Sequence, residues 1–116
     1  REVASESVLT DIAKFNAQVT KISEHSIKAL LTSDIILSNE AVEMVENAEN
    51  EERKLTQKVL THVKDAGVAA SLRVMVWNLG QIAKYCRMIG EVTINRILEK
   101  PTAICASLTL QEGKVD

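Results

Sequence analysis

From Val8 onward, the apolar positions of the chain fall in alternating steps of four and three: Val8, Ile12, Phe15, Val19, Ile22, Ser26 and Ala29. On a helix such steps keep one stripe on one side over about six turns, which is the seam of a helical bundle. Thr10, Asp11, Lys14, Gln18, Lys21 and Lys28 lie mostly off that stripe. The polar cluster Thr32-Ser33-Asp34 then breaks the first helix and supplies N-cap oxygens for a second.

The second seam reads Leu37, Ala41, Met44, Ala48, Glu51, Leu55 and Val59, widened by Val42, Val45 and Val63. Acidic residues fill Glu40 to Glu52, and Arg53, Lys54, Lys58 and Lys64 follow, the order a helix macrodipole favours. Asp65-Ala66-Gly67 is expected to end this helix, with Gly67 as a left-handed C-terminal residue. A third helix is expected from near Ser71 until Lys100-Pro101 stops it. Its apolar positions are Leu72, Val76, Leu79, Ala83, Cys86 and Ile97, and a neighbouring stripe holds Met75, Ile82, Ile89 and Ile94. Gly80 and Gly90 inside it cost about 1 kcal/mol each relative to Ala, and in return they let another helix approach closely.

Helices over about 5–32, 34–65 and 70–99 thus form one domain, residues 1–101, followed by a C-terminal tail, 102–116. Within the tail, 103–106 and 108–110 are apolar enough to add a short helix or to pack along the bundle. Short connections between long helices make neighbours antiparallel. The fold expected is therefore all-α, an up-down-up three-helix bundle about 45 Å long at 1.5 Å per residue. A bundle this slender leaves apolar flanks, which dimerisation or a second bundle would cover.

Composition sharpens the picture. Aromatic residues are only 3%, one each of Phe15, Trp77 and Tyr85, so the core must be aliphatic. One proline and four glycines leave too few breaks for a turn-rich β fold. The formal net charge is −2 with no basic cluster, which argues against a nucleic-acid partner. No apolar run approaches the roughly 18–20 residues of a membrane span, and no signal-peptide pattern opens the chain. A cytoplasmic protein, peripheral to a membrane at most, is expected. Cys86 and Cys105 form no CxxC and are read as free thiols. The opening at Arg1 suggests a piece of a longer protein.

Candidate chemistry is sparse. There is no nucleophile elbow and no glycine-rich phosphate loop, so a non-enzymatic role is expected. His25 and His62 lie near helix C-termini, where a cationic imidazole is favoured, and are read as surface caps. Neither follows a Glu by three residues, which sets aside a carboxylate-bridged di-iron centre. Glu51 falls on the apolar seam. It is read as a snorkelling side chain, as a register slip toward Glu52, or as a carboxylate facing the other helices to hold a metal. Cys86 reads as a buried inert thiol. Trp77, off the main stripe, marks an interface or lies under the tail.

The stretch Leu72-Arg73, Val74-Met75-Val76, Ile82-Ala83 and Arg87-Met88-Ile89-Gly90-Glu91 resembles the third helix of a PhoU-type repeat, and Ala29-Leu30 with Thr32-Ser33-Asp34 resembles its step into the second helix. The resemblance spans about residues 20–100, with its specificity in 72–91. It implies a three-helix bundle that regulates phosphate uptake by associating with a phosphate transporter and a sensor kinase, often as a homodimer. It also implies a divalent or iron cation held by two acids four apart on the third helix, where they share a face. The chain departs from that pattern. One register places Cys86 and Gly90 where the acids belong, and the other places Arg87 and Glu91 there. Glu91 and Asn95 form the best surviving pair, so the metal candidates are Glu91, Asn95 and Glu51, with no cofactor expected for certain.

Two functions follow. The first is a PhoU-like regulatory protein controlling phosphate or other ion uptake through protein contacts. The alternative is a structural oligomerisation or adaptor bundle with no phosphate role.

Overall fold

A computed structural model describes the backbone of residues 6–115 and the side chains of residues 6–99. Three helices account for nearly all of it: α1 (Glu6–Thr32), α2 (Ile35–His62) and α3 (Ala66–Val115). Each packs against both others. Lys58 late in α2 bonds to Ser7 and Asp11 early in α1, and Ser38 early in α2 donates to the Gly90 carbonyl of α3 at 3.3 Å. The order is therefore up, down, up, and the Cα trace measures 82 × 17 × 16 Å. The expected start at residue 5 and the last tail residue, Asp116, lie outside the described residues.

The two turns have definite causes. Ser33 takes a left-handed φ of 51°, and the Asp34 amide donates back to the Ala29 carbonyl at 3.1 Å, which satisfies an orphan carbonyl at the end of α1. The Asp34 carboxylate then accepts from the Leu37 amide at 3.0 Å and caps α2, as the polar cluster predicts. The second turn differs from expectation. α2 ends at His62, and Asp65 accepts from the Val68 amide at 3.0 Å, so it opens α3 instead of closing α2. Gly67 carries no positive φ and sits in the first turn of α3. An Asx residue three positions before a free amide is worth more as an N-cap than as a helix terminator.

The seam of α1 is buried at all seven expected positions. In α2 the buried set is Ser38, Ala41, Val45, Ala48, Leu55 and Val59, so Leu37 and Met44 are only partly covered and Glu51 is exposed. That corrects the placement of Glu51 on the seam. α2 faces two helices at once, and α3 comes closest on the side of Ser38, Val42 and Glu52. In α3, Leu72, Val76, Ala83 and Cys86 are buried as expected, joined by Gly80, Gly90 and Thr93, while Leu79 and Ile97 are partly buried. Met75 and Ile82 of the neighbouring stripe are exposed, and Ile89 and Ile94 are half-buried.

The two glycines are where α2 approaches. A Cβ on Gly90 would meet Val42 Cγ2 at 3.0 Å and the Ser38 carbonyl at 3.6 Å, and one on Gly80 would overlap the Glu52 carboxylate. Around Gly90 the buried polar residues are hydroxyls: Ser26 donates to the Cys86 carbonyl at 3.5 Å and Thr93 to the Ile89 carbonyl at 2.7 Å. No buried side-chain polar atom among the described residues lacks a partner.

The expected stop at Lys100-Pro101 is not observed, since α3 continues unbroken to Val115. A proline removes one backbone hydrogen bond and crowds the carbonyl four residues before it, which strains a helix without necessarily ending it. With Ser38 level with Gly90, the turn between α1 and α2 lies near residue 95, and α3 projects past it by roughly 30 Å at 1.5 Å per residue. The boundary drawn at residue 101 therefore falls inside a helix.

The two glycine contacts make opposite predictions. Gly80→Ala should leave the bundle as stable or up to about 1 kcal/mol more stable, because the Glu52 carboxylate is a flexible end that can swing into water. Gly90→Leu should destabilise by about 1–3 kcal/mol, because Val42 and the Ser38 backbone cannot move aside. Urea denaturation of both variants reads the difference in midpoint.

Candidate functional site

The metal candidates do not converge. Glu91 and Asn95 are one turn apart on α3 and exposed, while Glu51 lies exposed on α2 with Lys54 at 3.6 Å. Glu52 sits against Gly80 and Ser38 against Gly90, so Glu51 is about ten residues, roughly 15 Å, along the bundle from Glu91. Among the described residues no group of three or more His, Cys, Asp or Glu side chains is placed to hold an ion. Of the positions that the family resemblance assigns to acids, Cys86 and Gly90 are buried in the core. Arg87 is tied to α2 by Glu49 at 2.7 Å and Glu46 at 4.0 Å. Each histidine bonds through Nδ1 to the carbonyl four residues earlier, His25 to Lys21 and His62 to Lys58, both at 3.1 Å.

Two carboxylates have environments of their own. Asp11 accepts from Lys58, which holds its acid below the ordinary value of 3.8, with the Lys58 and Lys14 charges adding to the effect against some desolvation. Glu52 is pushed above its ordinary 4.5, chiefly by burial beside Gly80, with Glu49 adding to the shift and Lys84 and Arg53 opposing it. Asp11, Lys14, Gln18, Glu51, Lys54 and Lys58 border a groove of about 370 Å³ between α1 and α2. Its cations Lys54 and Lys58 already face carboxylates.

The most distinctive surface is the side of α3 turned away from the bundle. Val74, Trp77, Tyr85, Met88 and Val92 are 59%, 57%, 62%, 59% and 55% exposed. With Gln81 they recur in steps of three and four, so they share one stripe roughly 27 Å long. α3 is thus apolar on both faces, a pattern that belongs to a helix covered all round. Beside the stripe, Glu52, Thr56, Ala70, Arg73, Val74 and Trp77 border an open groove of about 390 Å³. Trp, Tyr and Met are the side chains most enriched at protein interfaces, and an apolar patch of this extent seldom faces water on a monomer. Trp77, read from its place off the main stripe as an interface residue or one lying under the tail, is exposed. Tyr85, Met88 and Val92 carry the same spacing but are masked in the sequence by the apolar core positions of the same helix.

What the fold and this surface define is a three-helix bundle with an apolar face on α3 that no described residue covers. Compared with known proteins, the chain matches no family model, no curated protein and no solved structure. No helix among the described residues is long and apolar enough to cross a membrane.

The two carboxylates predict opposite pH responses. The raised acid of Glu52 binds its proton more readily folded than unfolded, so it costs stability above its folded pKa and that cost disappears as pH falls toward 4.5. Glu52→Gln should therefore match or exceed the parent's stability at pH 7 and lose that advantage near pH 4. The lowered acid of Asp11 contributes stability above 3.8 that is lost on acidification. Asp11→Asn should be less stable than the parent at pH 7 and converge with it at low pH. Thermal melts of the three proteins across this range provide the check.

Proposed function

We propose that the protein is a non-catalytic helical module that works by protein contact through the outer face of α3, in the control of phosphate or other ion uptake. The observation that carries the contact reading is the stripe of Trp77, Tyr85 and Met88, which no described residue covers. Burying it would remove several large apolar side chains from water at about 25 cal/mol per Å², which gives a strong drive to association. The phosphate reading is supported by the resemblance of residues 72–91 to a PhoU-type third helix. On that reading the partners are components of a phosphate transporter or its sensor kinase, and the protein acts in the cytoplasm, peripheral to the membrane at most. Any cation would fall to Glu91 and Asn95, the only proposed pair that shares one turn.

A structural oligomerisation bundle is the second reading. The length of α3 beyond the bundle favours it, since a projecting rod suits scaffolding. An affinity pull-down from native cells grown with and without phosphate separates the two. Phosphate-dependent recovery of transporter or sensor components by the parent, lost in Trp77→Ala, is the expected result. Recovery of the protein alone, unchanged by phosphate, would transfer the assignment to the structural bundle.

A further inference from the structure

We propose that the outer face of α3 pairs with the same face of a second copy of this chain, the two helices running antiparallel about a two-fold axis level with residue 83. This rests on the contact surface argued above and names its first occupant. The stripe is nearly symmetric about its own midpoint. Val74 and Val92 lie equally far from residue 83, as do Gln81 and Tyr85, and Trp77 and Met88 do so within one residue. A two-fold axis there sets each valine of one end against the valine of the other, and each Trp77 against the partner's Met88, a favourable sulfur–aromatic contact. The groove bordered by Val74, Trp77 and Glu52 gives that methionine a seat.

Charge complements the same register. Arg73 and Glu91 are exposed, lie on the same flank of the stripe, and take part in no salt bridge among the described residues. In an antiparallel pair, equivalent flanks meet. The axis carries Arg73 to the level of the partner's residue 93, within one helical turn of the partner's Glu91, and symmetry makes the contact twice. Lys84, close to the axis on that flank, meets its own copy, but the Glu52 carboxylate stands beside it to offset the repulsion.

The area is sufficient. At the exposures given above, the five apolar side chains present roughly 500 Å². The flanking Ala70, Arg73, Gln81 and Glu91 extend this toward the about 800 Å² per partner of a stable interface. The contact is isologous, so it closes on itself without forming fibres.

Sedimentation equilibrium of the full chain tests the pairing with Arg73→Glu, Glu91→Arg and the double variant. Both substitutions are at exposed positions, and circular dichroism verifies that each variant remains folded. A dimer is expected for the parent, a dissociation constant about tenfold weaker or more for each single variant, and recovery toward the parent's value in the double variant, where the pair is re-formed with its signs exchanged. A parent that stays monomeric at its highest soluble concentration overturns the proposal, and so does a double variant as weak as the singles combined. The phosphate-dependent pull-down keeps the two ideas apart. A monomeric parent whose partner capture is abolished by Trp77→Ala overturns self-pairing and leaves the contact reading standing. A dimeric parent whose capture ignores Trp77→Ala upholds self-pairing and removes the regulatory contact from this face.

Discussion

The close approach of α2 to α3 at Gly90 is the constraint on which the rest of the bundle depends. Without a Cβ at position 90, Val42 and the Ser38 backbone come within van der Waals reach of the α3 backbone. That contact rotates α2 until Ser38, Val45, Glu52 and Val59 face inward with Ala41, Ala48 and Leu55, which is why Glu51 turns out to solvent. It also decides which side of α3 is used. With the glycine side committed to α2, and Cys86 beside Ser23 and Ser26 of α1, the opposite side carrying Trp77 and Tyr85 has no partner among the described residues.

The functional reading follows from that commitment. A single helix sandwiched on one side only, yet apolar on both, has unsatisfied burial that association can complete. The polar features of the surface fit a contact surface better than a reaction centre. Arg87 is held by Glu46 and Glu49 and Lys58 by Asp11, so the cations nearest the helix interfaces fasten one helix to the next. Glu52 is drawn partly out of water, and its site against a glycine backbone is explained by packing.

How much of this was legible depended on how many neighbours each helix has to satisfy. Every seam position of α1, even the small Ser26, could be read from spacing, because its two partners meet it along one narrow stripe. In α2 the positions flanking Ala41, Ala48 and Leu55 on either side were equally apolar by period. Only the side of the glycine contact distinguishes Val45 from Met44 or Glu52 from Glu51, and spacing within α2 cannot report a neighbour's missing Cβ. Asp34 was readable as a cap because polar residues surround it. Asp65 was misread because Gly67 resembles a stop, whereas the amide of Val68 needed an acceptor. Pro101 was read as a terminator because proline and the residue before it disfavour helix, and α3 passes through it. The exposed face of α3 was half visible: Trp77 drew notice by its type, but the rest of its stripe was hidden among the residues of a helix with apolar positions all round.

The hydroxyl-lined end of the bundle has a mechanical consequence. Around Ser26, Ala29, Ser38, Ala41 and Gly90 the helices are joined by small side chains, while Phe15, Leu55, Val59, Leu72 and Val76 fill the other end. Small side chains permit intimate backbone contact but contribute little dispersion and little apolar area. The resistance to opening is therefore graded along the axis, firm where the aliphatic side chains interlock and weak near the α1–α2 turn. The molecule behaves as a clasp with one fixed and one yielding end. The yielding end is the one from which α3 projects, so a load applied to that rod would be felt first where the bundle gives most easily.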